Sequence, residues 1–527
     1  MRRPTLFPLG ALAIFALAPS FAQTWRTADD RIDGWDWSLP PAIEPAARSG
    51  LYFEGKAPEG FKGKRLEDLR WSWQQIEPEE GSYDFESLRK EILAKSAGID
   101  GVMLHVYSST WQVEITIKGR KKLEQVAAPR WLVTKYHVPV IAEEPKTNLA
   151  TPFTVYNLDI SHPIVRDRYL KMMRAFGQSP IPKMPQVKFV YVQGVSSSRG
   201  EEWSAMKKRP SPEVMKERFK AWADAFKGQE YKLAWVGGNA DLLQSAYDLG
   251  MGQRGGFIEM YLYNIPNPAL GQLLDREGYL VVDETVPPIK ENRAFGDENE
   301  EYSSVWVPRY GPLETFPHRY RESMLRALQM RRNFLWAEPN PWVDHALLNY
   351  VALELGRTIQ DTPDIWCYLR ESYVGQGGKA TPVKNFERWL YQRDRDGVRT
   401  EPAVQVKHPM KKLNAAEGYG YDMIARRAVG DGRIGFAVDD RFLPAGPHRV
   451  AFKITYHDQG EGAWTLRYQT PHGPVTRTFS LSNSGKIETV TVFAPDAVFE
   501  ARDMNFDFVV ESKGGNPPFS FVRVIRL

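Results

Sequence analysis

The chain has 527 residues, 42% of them hydrophobic and 25% charged, long enough to bury a large core and too apolar to be disordered. Its one cysteine, Cys367, excludes an internal disulfide and, within one chain, a cysteine-ligated zinc or iron–sulfur centre. With 69 basic against 65 acidic residues the net charge is +4, which gives no electrostatic case for nucleic acid.

Residues 1–22 read as a secretory signal peptide. Arg2 and Arg3 form a short positive region, Leu6 to Leu17 is apolar, and Ser20-Phe21-Ala22 places small residues before a cleavage point. The expectation is a mature protein that begins at Gln23 and is secreted or periplasmic, with 23–50 as a lead-in. No later stretch reaches the roughly 18 apolar residues of a membrane span. In that compartment Cys367 reads as inert packing rather than a nucleophile.

Strand and helix patterns then alternate. Asp68–Trp73 reads as a strand, and Glu86–Ala97 as a helix with Leu88, Ile92 and Leu93 on one face and Gly98 as its stop. Gly101–Val106 and Val138–Ala142 follow as strands. Ser161 is expected to cap a helix running to Phe176, ended by Gly177. Val187–Gln193 is a buried strand, counted as the fourth, and Ser211-Pro212-Glu213 starts a helix that runs to Gly228. Tyr231–Val236, Phe257–Tyr263 and Phe334–Ala337 supply further strands, with Arg319–Arg332 helical. Repetition of this unit over 51–375 predicts an α/β fold, a (β/α)8 TIM barrel. No Gly-x-Gly-x-x-Gly opens the first helix, against a dinucleotide-binding sheet.

Beyond Gln376-Gly377-Gly378-Lys379 the character changes. Residues 376–412 read as a linker, Arg399–Pro409 as its connector, and 413–527 as an antiparallel, jelly-roll-like β-sandwich. The alternation Val450, Phe452, Ile454, Tyr456, then Trp464, Leu466, Tyr468, then Val490/Val492 and Phe506/Phe508, carries that reading. A fragment from about Leu413 to Leu527 is expected to fold alone. Asp439-Asp440 and Asp507 lack the spacing of a calcium loop.

Three stretches carry chemistry. The first is Trp71-Ser72-Trp73-Gln74-Gln75-Ile76-Glu77-Pro78-Glu79-Glu80-Gly81-Ser82-Tyr83-Asp84-Phe85, a tryptophan-bearing strand end leading into a helix. The second, Val190–Trp203, ends strand four with Gln193 and then Gly200-Glu201-Glu202-Trp203. A carboxyl beside an apolar wall such as Trp203 has its pKa raised toward that of a general acid. The third, Arg293–Tyr302, packs Asp297, Glu298, Glu300 and Glu301 together, a repulsion tolerated chiefly where charge is paired or used. Arg293 and Arg309 are candidate partners. If Tyr279–Val282 were strand seven instead, Glu284 would replace Glu298.

The first stretch resembles a strand-to-helix loop, the first, of clan A glycoside hydrolases, closest to β-galactosidase-type members such as family 42. The resemblance implies that Glu77, Glu79, Glu80 and Asp84 are scaffold, with Asp84 beginning the helix. It implies an acid/base at the end of strand four, Glu201 or Glu202, and a nucleophile at the end of strand seven, Glu298 or Glu300. The family usually has Asn-Glu at strand four and this chain has Gly-Glu-Glu, so the choice within the first pair stays open. Trp336 resembles the clan's subsite tryptophan. Trp73, His105, Gln193 and Trp203 are the other substrate-binding candidates, flat aromatic faces being suited to sugar rings.

The function this implies is a secreted glycoside hydrolase that uses two carboxylates on a polysaccharide or oligosaccharide, needing no metal or cofactor. Retention would set the carboxyls about 5–5.5 Å apart, inversion about 6.5–9.5 Å. A non-catalytic carbohydrate-binding protein on a degenerate barrel, and less directly a polysaccharide lyase, are the alternatives. Sugar, linkage and oligomeric state are not legible in the sequence.

Overall fold

Eight strands pair in chain order and close on themselves: Gly50–Tyr52, Arg65–Ser72, Gly101–Tyr107, Val187–Val192, Leu233–Val236, Gly252–Phe257, Phe295–Asn299 and Phe334–Ala337. Every pairing is parallel, so all eight C-terminal ends open on one mouth. This is a TIM-type barrel. The computed structural model describes residues 23–52, 56–117, 120–125, 127–143, 153–192, 210–237, 239–257, 266–299, 315–337, 343–376, 379–407, 421–430, 432–500 and 506–527.

Helices follow strands two to eight, among them Phe85–Lys95, Pro163–Gln178, Pro212–Ala225, Ala240–Asp248, Phe316–Gln329 and His345–Glu354. Among the described residues none joins strands one and two. Four of these six helices start where a side chain satisfies a first free N–H group. Asp84 Oδ1 accepts from the Ser87 amide at 2.9 Å, and Ser211 Oγ from that of Val214 at 3.4 Å. Leu88, Ile92, Met172, Phe176, Phe219 and Trp222 fill the layer between helices and barrel.

Several local expectations need correction. The Trp71–Phe85 stretch follows the second barrel strand, because Gly50–Tyr52 is a short first strand with too few residues to show a period. The strand expected over Val138–Ala142 is Val140–Ala142, and it lies outside the barrel. It edges a four-stranded antiparallel sheet with Phe153–Leu158, Thr110–Ile117 and Arg120–Gln125, inserted between barrel strands three and four. Ser161 is not the helix cap. Its amide donates to Asp159 Oδ1 at 3.0 Å, and the helix begins at Pro163, with Gly177 inside it. The sixth strand is Gly252–Phe257, upstream of the expected Phe257–Tyr263, of which 258–263 lie outside the described residues. Its glycine is a requirement of packing: a Cβ on Gly252 would stand 1.8 Å from the carbonyl oxygen of Ala294, the residue before strand seven.

The second layer of architecture is a large antiparallel sheet, thirteen-stranded among the described residues. Val450, Phe452, Ile454 and Tyr456 face its interior with Trp464, Leu466, Val490, Val492 and Phe508, as the alternation predicts. The sheet begins earlier than expected. Asp364–Gln376 and Lys379–Arg388 are already members, and the stretch read as the connector Arg399–Pro409 is largely the strand Val398–Lys407, paired with Tyr421–Gly430. Arg399 and Glu401 alternate with the buried Val398 and Thr400 on that strand because one of its faces is wet.

The lead-in is part of the sheet too. Asp30–Asp33 pairs antiparallel with Ile487–Val498, Asp30 opposite Thr491. Just beyond it, Trp35 and Trp37 stack at 5.5 Å, Trp37 lies 5.3 Å from Phe521, and Lys453 pairs with the buried Asp36. A fragment starting at Leu413 would lack these partners and four further sheet strands, Leu390–Gln392 among them, so independent folding is no longer expected.

Candidate active site

Side chains of alternate barrel residues point inward, and strand register sorts them into layers. At the N-terminal end Phe189 and Phe334 stack at 4.5 Å and plug the barrel with Leu66, Met103 and Ala294. Toward the C-terminal end the layer turns polar. Arg70, His105 and Tyr191 stand in register across strands two, three and four. Glu298, Trp336 and Tyr52 stand in register across strands seven, eight and one. Arg254 of strand six is ion-paired with Glu298 and joins the two arcs, its guanidinium carbon 4.9 Å from the Tyr191 ring centre.

Glu298 is only 4% exposed, and Arg254 supplies the positive charge that such burial demands. On the other side Asp68 holds His105, with Nε2 2.8 Å from Oδ1, and accepts from Arg70 Nε. Arg70 also lies over Trp336 at 5.5 Å, and Trp336 meets Tyr52 edge-on at 5.2 Å. Two carboxylates and two guanidiniums thus alternate around the mouth with a histidine and three aromatic rings between them.

Burial alone would raise the Asp68 carboxyl, but His105 and Arg70 outweigh it and hold the group down at about 2. Because the folded value is depressed, Asp68 adds stability that is full above its unfolded value near 3.8 and vanishes as pH falls through about 2. Urea midpoints of wild type and Asp68→Asn, compared from pH 5 down to 2, should converge by about 2 kcal/mol. Profiles that stay parallel would show that Asp68 carries no such linkage.

Of the sequence candidates, the structure brings Glu298, His105 and Trp336 together. Gln193, Glu201, Glu202, Trp203 and Glu300 lie outside the described residues. Trp73 is misassigned as a substrate residue. It opens the short helix Trp73–Ile76 behind Ser72, is 0% exposed, and packs between Trp131 and Tyr169 while its Nε1 donates to Glu77 at 2.7 Å. A ring sealed in the outer core has no face to offer a sugar. Trp71 likewise turns outward, donating to Glu91 at 2.6 Å.

The scaffold reading of the neighbouring acids agrees with their contacts. Glu77 also accepts from the Gly81 amide at 2.8 Å, and Glu80 ties Lys135, Tyr136 and Arg168. Glu284 binds Arg331 and Arg441 beside the sheet, at 2.8 and 2.9 Å, because Leu280–Val282 is half of a hairpin and strand seven is Phe295–Asn299. Of the two partners expected for the acidic run, Arg309 lies outside the described residues and Arg293 is engaged elsewhere. Arg293 serves Glu291 and two carbonyls, whereas Arg254 takes Glu298 and Arg332 takes Asp297. Asp297 faces away from the barrel axis; complete burial pushes its carboxyl up to about 6, although Arg332 opposes this.

Asp68, Arg70, Tyr52, Tyr191 and Arg254 are the site residues sequence reasoning missed. Asp68 and Arg70 had a signal: charges two apart share one face of the strand Arg65–Ser72 with Leu66, which marks a polar upper barrel interior. Arg254 had none, since Gly252-Gln253-Arg254-Gly255-Gly256 does not look like a strand.

Among the described residues one group has metal-ligand proximity: His318, Glu322 and Asp422 bring ligand-type atoms within 4.8 Å of one another. The positive charge there is already supplied by Arg370, whose Nε donates to Glu322 at 2.8 Å. Asp439 pairs with Arg441 and Asp507 accepts from the Val438 amide at 2.7 Å, so both expected-weak calcium candidates bind protein donors.

The chain matches no protein-family model and no curated protein. Solved structures it resembles include an exo-β-1,4-mannosidase, Op5Man5, from Opitutaceae bacterium strain TAV5, at 11% identity and a TM-score of 0.30 over 60% of this chain and 58% of that one. A glucosidase from Croceicoccus marinus resembles it at 11% identity and a TM-score of 0.27, over 88% of this chain and 90% of that one. An uncharacterized protein, lmo2446, from Listeria monocytogenes EGD-e does so at 10% identity and 0.19, over 92% and 66%. The chain therefore spans less than two thirds of the mannosidase's length. Two of these three neighbours are glycosidases by name.

Proposed function

We propose that the chain is an exported glycoside hydrolase that cleaves a polysaccharide or oligosaccharide with retention, Glu298 acting as nucleophile and Glu201 or Glu202 as acid/base. The observation that carries this reading is Glu298 itself: a carboxylate at the C-terminal end of strand seven, turned into the barrel, paired with Arg254 and in register with Trp336 and Tyr52. That is the end of the fold where active sites of TIM barrels lie. Arg254 supplies a counter-charge beside this carboxylate nucleophile. The Trp336 and Tyr52 rings suit the C–H face of a sugar.

In this mechanism Glu298 attacks the anomeric carbon while the strand-four glutamate protonates the departing oxygen. The same glutamate then removes a proton from the water that releases the glycosyl group from Glu298. Gln193 and Trp203 would complete the sugar-facing wall from strand four. The deciding measurement is release of reducing ends from a panel of polysaccharides, with the anomer formed first read by NMR. No release from any substrate would sink the reading and leave a binding protein on a glycosidase-like barrel.

One observation favours a second reading. His105 lies 4.0 Å from the Tyr191 ring centre and Arg254 covers the same ring, which sets a candidate base beside a cation able to neutralise a uronate. That is what a polysaccharide lyase needs. Ultraviolet absorbance of an unsaturated product, recorded on the same panel, separates the two: a lyase produces it and a hydrolase does not.

Export rests on residues 1–22. Mass spectrometry of protein recovered outside the cytoplasm should show a chain beginning at Gln23; an intact Met1 would reject the signal peptide. Cys367 is compatible with an oxidising compartment, since burial and then Glu387 push its thiol well above the ordinary range and leave it unreactive.

A further inference from the structure

The barrel's opposite mouth carries a separate cavity, of about 280 Å³, lined by four basic side chains. Its walls come from the segments that enter the strands: Arg48 before strand one, Lys183 and Lys188 at strand four, Lys232 before strand five. Its floor is Phe189 and Ala294, the underside of the plug described above. No Asp or Glu is among the described residues lining it. We infer that this cavity binds a phosphate-type oxyanion, either inorganic or the phosphoryl group of a small phosphomonoester.

The argument is one of uncompensated charge. Lys232 is 5% exposed, and the hydrogen bonds it makes are to neutral acceptors, the Pro182 and Met184 carbonyls at 3.1 and 3.3 Å. An ammonium has three donors, so these two leave one. Burial lowers the Lys232 amine to about 8, and repulsion from Lys188 contributes. Lys64, which donates to the Ala47 carbonyl at 2.8 Å, is lowered by burial and by the same Lys188, against the pull of Asp100. Arg48 lies 4.0 Å over Tyr231 and donates to the Asn292 carbonyl at 3.1 Å.

A folded protein rarely converges cations on one hollow without counter-charges, since their repulsion grows as water is excluded. A doubly charged oxyanion relieves it and takes up the remaining N–H groups through charge-assisted hydrogen bonds. The volume lies just below the roughly 300–1,000 Å³ of drug-sized ligand pockets, which suits a ligand as small as pyrophosphate or a monosaccharide phosphate. The proposal does not depend on the catalytic reading, because the cavity lies at the N-terminal ends of the strands.

Isothermal titration of the full mature chain with inorganic phosphate, pyrophosphate and glucose 6-phosphate, beside glucose and glucuronate as controls, tests it. Expected are saturable one-site binding of the phosphorylated ligands at least tenfold tighter than of glucuronate, and none of glucose. Binding should weaken at least tenfold in Lys232→Met and in Lys188→Ala, the second being half-exposed and so safe for folding, and be unchanged in Glu298→Gln. If glucose 6-phosphate binds and inorganic phosphate does not, the ligand is a phosphomonoester; the reverse result assigns the free anion. Absence of saturable binding by all three, or equal affinity in both lysine variants and wild type, would overturn the proposal.

Discussion

Glu298→Gln is expected to lower turnover by about 10²–10⁴-fold or more, on whichever glycan the wild type cleaves, while the barrel still folds. The amide cannot attack an anomeric carbon, so the chemical step goes and substrate binding stays: kcat falls and KM changes little. A thermal cost accompanies the substitution, because Arg254 loses its ionic partner inside the barrel. That cost is why loss of activity alone is not decisive. Glu298→Ala in the presence of azide is the sharper experiment, because a small anion in the vacated space can replace the nucleophile and give a glycosyl azide. Rescue of that kind is chemistry a structural role does not permit. Undiminished turnover in Glu298→Gln would remove the residue from the mechanism and return attention to Glu300.

Arg370→Met should be the most destabilising single change at the contact between barrel and sheet, by about 3–5 kcal/mol in the denaturation midpoint. Arg370 lies on the sheet strand Asp364–Gln376, donates to Glu322 of the helix Phe316–Gln329 at 2.8 Å, and faces Asp422 at 3.8 Å. His318 closes the group, its Nε2 3.0 Å from Asp422 and its Nδ1 3.9 Å from Glu322. Glu322, Asp422 and Arg370 are each 0% exposed, so deleting the cation takes from Glu322 its guanidinium partner in the interior and leaves Asp422 to His318. A paired change, Arg370→Met with Glu322→Met, should recover part of the loss, since apolar partners of similar size leave one fewer buried charge unsatisfied. Equal midpoints for Arg370→Met and wild type would show that the clasp holds nothing.

What was legible in the sequence follows physical period. Val187–Val192 and Phe334–Ala337 are apolar runs, legible to within a residue or so of their ends; Val187–Val192 is strand four only because the missed Gly50–Tyr52 offsets Val140–Ala142, which lies outside the barrel. Ser211-Pro212 gave its helix for a local reason, a hydroxyl on a free amide. Gly50–Tyr52 and Gly252–Phe257 failed because one is too short for a period and the other is built of glycine to admit a neighbouring carbonyl. The same failure hid Arg254, and with it the true partner of Glu298. Trp73 shows the opposite error, in which a residue type suggestive of sugar binding was assigned to the mouth although helix packing had claimed it. Which tryptophan faces a ligand depends on strand parity and on what lies behind it, and one sequence does not carry that.

The pairing of Asp30–Asp33 with Ile487–Val498 has a consequence for the order of synthesis. Asp30–Asp33 must wait, unpaired, while more than four hundred later residues are made before its edge of the sheet exists. That edge is therefore completed only when the carboxyl-terminal strands have been synthesised.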